Sequence, residues 1–180
     1  MQTHLLVAHP ACPPAGVSTV EARWGVVGAW LQLRWRIEGA AKVVLPAFAG
    51  RKRADDLWQT TCCEMFLQPD GAETYVEFNF SPSEAWAAYD FNGWRQGMAE
   101  RSLSHDPVIT PRPGRNLLIV DVAVPLHDLP ALPAALSLTA VIEEQGGTRS
   151  FWAMAHGNPE RPDFHDPACF GARLAPPEAP

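Results

Sequence analysis

The chain of 180 residues is 47% apolar and only 19% charged, with a formal net charge of −6 at pH 7. That length suits one domain, 1–180, with a sizeable core. The acidic balance excludes nucleic acid and an anionic membrane surface as main partners, because both recruit basic patches, and no apolar run approaches the ~20 residues that cross a bilayer.

The opening MQTHLLVAHPACPPAG has no Lys or Arg ahead of its apolar part, which is shorter than the core of a secretion signal. The expected location is therefore cytoplasmic, with Cys12, Cys62, Cys63 and Cys169 reduced. ACPPAG reads as an extended arm. VSTVEARW (17–24) is the first strand expected, and AWLQLRWRI (29–37) the second, with Leu31, Leu33, Trp35 and Ile37 on one face and Trp30, Gln32, Arg34 and Arg36 on the other. The basic run Arg51-Lys52-Arg53, followed by Asp55 and Asp56, reads as a solvated loop. CCEMFLQ (62–68) sets Cys63, Met65 and Leu67 against Cys62, Glu64 and Phe66, and ETYVEFNFS (73–81) sets Val76, Phe78 and Phe80 against Tyr75, Glu77 and Asn79. SPSE then reads as a turn into EAWAAYDF (84–91). LLIVDVAV (117–124), LSLTAVIEE (136–144) and SFWAMAH (150–156) complete the strands, and residues from about 174 to 180 form a flexible tail.

Half-buried antiparallel strands produce this alternation, one face on the core and the other toward water. Seven or eight of them, separated by Pro- and Gly-rich turns, predict an all-β fold, an antiparallel β-sandwich.

The polar faces carry the candidate chemistry. Glu64, Glu77 and Asn79 fall opposite core residues, as do Arg34, Arg36 and Asp121. Each alone is an ordinary solvated position. Together with aromatic rings, carboxylates and amides suit a sugar, because they bond vicinal hydroxyls while rings stack on its apolar face. No nucleophile elbow, phosphate loop or dinucleotide glycine pattern is present, so the expectation is a non-catalytic binding module. A glycoside hydrolase built on Glu64 and Glu77 is a lesser alternative.

LWQTTCCEMFLQPDGAETYVEFNFSPSEAWAAYDFNGWRQGM resembles the central part of the DOMON-like superfamily, which includes family nine carbohydrate-binding modules. The likeness rests on Trp58, on Glu64 heading "E-x-F-L", and on the strand "Y-x-E-F-N-F-S-P". FWAMAHGNPERPDFHDPACF is similar to the closing segment of a bacterial subgroup. The resemblance implies a β-sandwich that binds sugar or haem. It matches Trp58 to a stacking ring, Glu64 to a hydroxyl-binding carboxylate, Arg95 to a sugar-binding arginine and Trp152 to a second aromatic wall. Glu64 and Trp58 are both expected outside the core. His156 joins the ligand-binding candidates. In the haem alternative, Met98 and His156 are the axial ligands. His156, Asp163 and His165 form an alternative zinc or iron set, against the preferred reading of 157–170 as a loop packed across one end of the sandwich.

Overall fold

In a computed structural model describing residues 1–177, thirteen short or medium strands fold into two curled antiparallel sheets that share one core. The strands are β1 Gln2–Ala8, β2 Thr19–Val27, β3 Trp30–Glu38, β4 Lys52–Arg53, β5 Cys62–Pro69, β6 Tyr75–Phe80 and β7 Ala85–Phe91. They continue as β8 Ala99–Glu100, β9 Val108–Pro113, β10 Leu117–Pro125, β11 Ala134–Glu144, β12 Thr148–Ala153 and β13 Ala172–Leu174. The first sheet runs β1-β2-β3-β10-β9 and the second β4-β7-β6-β5-β11-β12. Only the β4–β7 pairing is parallel. The all-β sandwich expected from the alternation is the observed fold.

Five strands were not expected from the sequence: β1, β9 and the short β4, β8 and β13, of which β4 falls in the run read as a solvated loop. β1 joins the sheets: Gln2 to Leu6 pair with β2, then Val7 and Ala8 pair with Ala153 and Trp152 of β12. β9 carries two prolines and lies at the edge beside β10, where missing N–H donors are tolerated. The arm ACPPAG is not free. The carboxylate of buried Glu144 accepts from the backbone N–H groups of Ala15, Gly16 and Val17, so the loop wraps an anion supplied by its own fold. The tail also starts later than expected, since Leu174 is buried and pairs with Ala134. The last three residues of the expected tail lie outside the described residues.

Between the sheets sit the inward faces read from the sequence: Leu31, Leu33, Trp35 and Ile37 from β3, Cys63, Met65 and Leu67 from β5, and Val76, Phe78 and Phe80 from β6. Arg34 and Asp121, opposite one another on β3 and β10, form an ion pair on the solvated back of the first sheet.

The second sheet departs from one-sided alternation. Every residue of β6 is buried, and so are both faces of β5 from Cys62 to Leu67. Its outer face is covered by chain rather than water. Phe66, Tyr75, Tyr89, Phe91 and Val141 form a second apolar cluster there with Phe164 and Cys169. The loop 157–170 supplies that cover, lying over the outer face of the second sheet rather than across one end of the sandwich as expected. Ser137 Oγ donates to the Cys169 carbonyl, and Asp166 caps the short turn Pro167–Cys169 through the Ala168 N–H.

Candidate functional site

The covered face of the second sheet is not fully filled. A cavity of about 560 Å³ remains between the sheet and its loops, within the roughly 300–1,000 Å³ of small-molecule sites. Strands β5, β6 and β7 build its base with Glu64, Phe66, Glu77, Tyr89 and Phe91, and Val141 and Phe151 extend it along β11 and β12. Asp55, Asp56 and Trp58 border it from the loop before β5, Arg95 and Met98 from the loop after β7, and Pro162, Phe164 and His165 from the closing loop.

Register explains the carboxylate pair. Glu64 lies opposite Asn79, and Glu77 lies opposite Phe66 on one side and Tyr89 on the other. The period of two keeps all five on the outer face. Glu64 is 3% exposed and Glu77 7%. Thr139, directly across from Glu64 on β11, donates to Glu64 Oε2 at 3.2 Å. Asn79 Nδ2 donates to Glu77 Oε1 at 2.7 Å. Burial first, and then the charge of Glu77, push the Glu64 carboxyl well above the usual carboxylate range. Glu77 is also raised, by burial, although Asn79 and the Arg95 charge oppose the shift.

Arg95 stands over this pair in a left-handed backbone conformation (φ 53°). Its guanidinium donates to Asp163 Oδ1 at 2.8 Å, and its N–H donates to the Tyr75 hydroxyl at 3.1 Å. Burial opposes ionisation of Asp163, but the Arg95 guanidinium and the His165 N–H outweigh it and hold the carboxyl below its usual value.

Tyr75 Oη lies 2.6 Å from His165 Nδ1. With the Arg95 N–H occupying a lone pair, Tyr75 donates to Nδ1, which assigns the imidazole proton to Nε2. Nε2 is 3.6 Å from Glu77 Oε2, too far for a direct hydrogen bond. Burial among Phe66, Tyr75 and Phe91, and then the Arg95 charge, depress His165 to about 4, so at neutral pH this contact is not an ion pair.

Of the residues singled out in the sequence, Trp58, Glu64, Glu77 and Arg95 line the cavity. Asn79 does not line it but holds Glu77 from beside. Trp152 is corrected: it belongs to the core between the sheets, with Nε1 donating to Ser150 Oγ. A single step along β12 inverts the face, so Phe151 is the aromatic wall. His156 is also outside the cavity. The strand ends at Ala153, and His156 Nε2 bonds the Val7 carbonyl at 2.8 Å beside the buried His9 ring. Glu64 is buried, against the expectation of an uncovered position, whereas Trp58 is 48% exposed.

The alternative ligand sets fare differently. His156, Asp163 and His165 do not converge: each is engaged by a different partner, Val7, Arg95 and Tyr75 respectively. The haem pair does not fit either, since Met98 borders the cavity and His156 is bonded elsewhere. Metal-type donors do meet at His105, His127 and Asp128, with the Ser104 hydroxyl bonded to all three and no cavity residue among them.

The sequence reading passed over Asp55, Tyr89, Phe91, Phe151 and Phe164 as site residues. For Tyr89 a signal existed: in EAWAAYDF it alternates with Ala87 and Phe91, on a strand adjacent to that of Glu77. Tyr89 Oη donates to Asp55 Oδ1 at 2.6 Å, tying the loop before β5 to the sheet. Nothing local marks the loop residues, because their place depends on how 51–59 and 157–170 cross the sheet.

No protein-family model matches the chain, and no curated protein matches it in sequence. Solved structures do resemble it. A candidate carbohydrate-binding protein from Bacteroides uniformis superposes with a TM-score of 0.66 at 18% identity, over 97% of this chain and 86% of the other. A family nine carbohydrate-binding module from Caldicellulosiruptor kristjanssonii, solved with glucose, gives 0.49 at 10% identity, over 86% and 79%. No helix of the described residues is long and apolar enough to cross a membrane. The chain therefore shares its antiparallel β-sandwich fold with the Bacteroides protein across nearly its whole length.

Proposed function

We propose that the protein is a non-catalytic binding module for a saccharide held in the cavity over β5, β6 and β7. The observation that carries this reading is the pairing of buried polar acceptors with aromatic walls. Glu64 and Glu77 offer carboxylate oxygens at the base, and Phe66, Tyr89, Phe91 and Phe151 surround them with ring surface. A sugar presents hydroxyl donors on its edges and C–H groups on its faces, which this lining complements. Trp58 stands half-exposed at the border, where a ring can stack on the ligand as it enters. The carbohydrate-binding description of the Bacteroides structure agrees with this reading. A hydrolase has less support, because both carboxylates lie side by side on one sheet face rather than flanking a bond from opposite sides.

A glycan array followed by calorimetry tests the proposal. Trp58→Ala is expected to weaken the best saccharide about fivefold, from a stacking contribution of the order of 1 kcal/mol, while the melting temperature stays nearly unchanged. Absence of any saccharide binding by the folded wild type would overturn the reading.

A further inference from the structure

The base of the cavity is electrostatically unbalanced. Glu64 Oε2 accepts from Thr139, but Oε1 has no hydrogen-bond donor among the described residues. Glu77 Oε1 accepts from Asn79, and Oε2 has only the His165 Nε2–H, at 3.6 Å. Two nearly buried carboxylates on adjacent strands that line one cavity thus each keep an oxygen with no protein donor in hydrogen-bond reach, free to accept from a ligand. The lining contains one guanidinium, Arg95, and Asp163 already engages it. Asp55 and Asp56 add negative charge at the border, and Arg53, which pairs with Asp55, is not part of the lining.

We propose that the ligand carries a protonated amine seated between Glu64 and Glu77, which makes it an amino-bearing saccharide rather than a neutral one. This inference rests on the saccharide reading for the remainder of the ligand. A neutral hydroxyl donates one hydrogen bond and leaves the mutual repulsion of the carboxylates in place. An ammonium group donates three and supplies the missing positive charge in a poorly hydrated site, where charge-assisted bonds are strongest. The rings of Phe66, Tyr89, Phe91 and Phe151 line the same cavity and supply apolar surface for the rest of the ligand. Burial raises both carboxyls above their ordinary range, with the charge of Glu77 adding to the shift at Glu64, and the nearby Arg95 charge only partly opposes it. Arg95 cannot serve as that charge without giving up Asp163, which also accepts from the His165 N–H that anchors the closing loop.

Four probes decide the matter by titration calorimetry near pH 7 on the tag-free full chain. Three share one β-1,4-linked disaccharide frame and differ at carbon 2: the diamine, its N-acetylated form, and cellobiose with hydroxyls. The fourth is cyclohexylammonium, a ring of sugar size with an amine and no hydroxyls. The diamine is expected to bind at least about tenfold more tightly than the other two disaccharides, a difference typical of one charge-assisted contact. Glu64→Gln and Glu77→Gln, each confirmed to be folded by its melting curve, should weaken the diamine at least about tenfold more than they weaken cellobiose, and so remove that preference. Equal or tighter binding of cellobiose would overturn the amine inference and leave the saccharide reading standing. Binding of cyclohexylammonium alone would support the amine inference and overturn the saccharide reading. If none of the four binds, both fall.

Discussion

Glu64 and Glu77 stand diagonally across the β5–β6 ladder, two residues out of register, since Glu64 pairs with Asn79 and Phe66 with Glu77. Diagonal neighbours on one face of an antiparallel pair lie within reach of long side chains, and like charges there destabilise the fold. The folded protein therefore holds a repulsive pair beneath this cavity, an arrangement expected where a site has been shaped for a ligand at a cost to stability.

Glu64→Gln should stabilise the unliganded protein at neutral pH. The amide oxygen still accepts from Thr139, and the amide has no ionised form for burial and the Glu77 charge to penalise. For a chain of this size each kcal/mol corresponds to about 2–4 °C of melting temperature, and a rise of at least about 2 °C is expected. A scanning-fluorimetry curve at or below that of wild type would contradict the repulsion argument.

The pH dependence of stability contains two opposed contributions. Glu64 and Glu77 have folded pKa values above the ordinary 4.5, so their contribution is fully present below pH 4.5 and is lost as pH rises through the folded values. His165 has the reverse effect. Its folded value of about 4 lies below the ordinary 6.5, so its contribution is present above pH 6.5 and is lost as pH falls toward 4. Urea midpoints measured across this range should fall less steeply toward acid in His165→Asn, where the lowered Asp163 carboxyl still contributes an acid loss, and more steeply in Glu64→Gln. Parallel profiles for both variants and wild type would refute these assignments.

Tyr75→Phe removes one hydroxyl that bonds both the Arg95 N–H and His165 Nδ1. The ring stays stacked on Phe91 at 4.7 Å, so packing is retained and the polar contacts alone are lost. Leaving these groups unsatisfied should cost about 1–3 kcal/mol. Hydrogen exchange should quicken at Arg95 and in 162–166, with β2 and β3 unaffected. Unchanged exchange in the two loops would show that the hydroxyl does not couple them.

Gly157→Ala tests how the closing loop is held. A Cβ at this position would meet Asp166 Oδ2 at 2.1 Å, and the Asp166 carboxylate caps the turn at Pro167–Cys169. Displacing the cap should cost about 1 kcal/mol or more and detach Phe164 from the sheet. Limited proteolysis by chymotrypsin after Phe164, which is buried in the wild type, should accelerate. A variant as resistant as wild type would mean that the loop accommodates the methyl without moving.

The sequence by itself determined the all-β fold and the inward-facing residues, because a buried face on a two-residue period imposes a pattern that survives whatever the strand order. Leu31, Leu33, Trp35 and Ile37 were legible for that reason, and so were Glu64 and Glu77 as members of a separate face. Whether that face met water or protein was not legible. Only the tertiary structure brought 51–59, 92–98 and 157–170 across the second sheet, burying Glu64 and turning two ordinary surface acids into a repulsive pair. It also set which face of β12 meets the cavity, with Trp152 in the core and Phe151 on the wall, and it ended that strand at Ala153, so that His156 reaches the Val7 carbonyl. These outcomes depend on contacts between residues distant in the chain, such as Tyr75 with His165 and Arg95 with Asp163, and no local periodicity encodes such contacts.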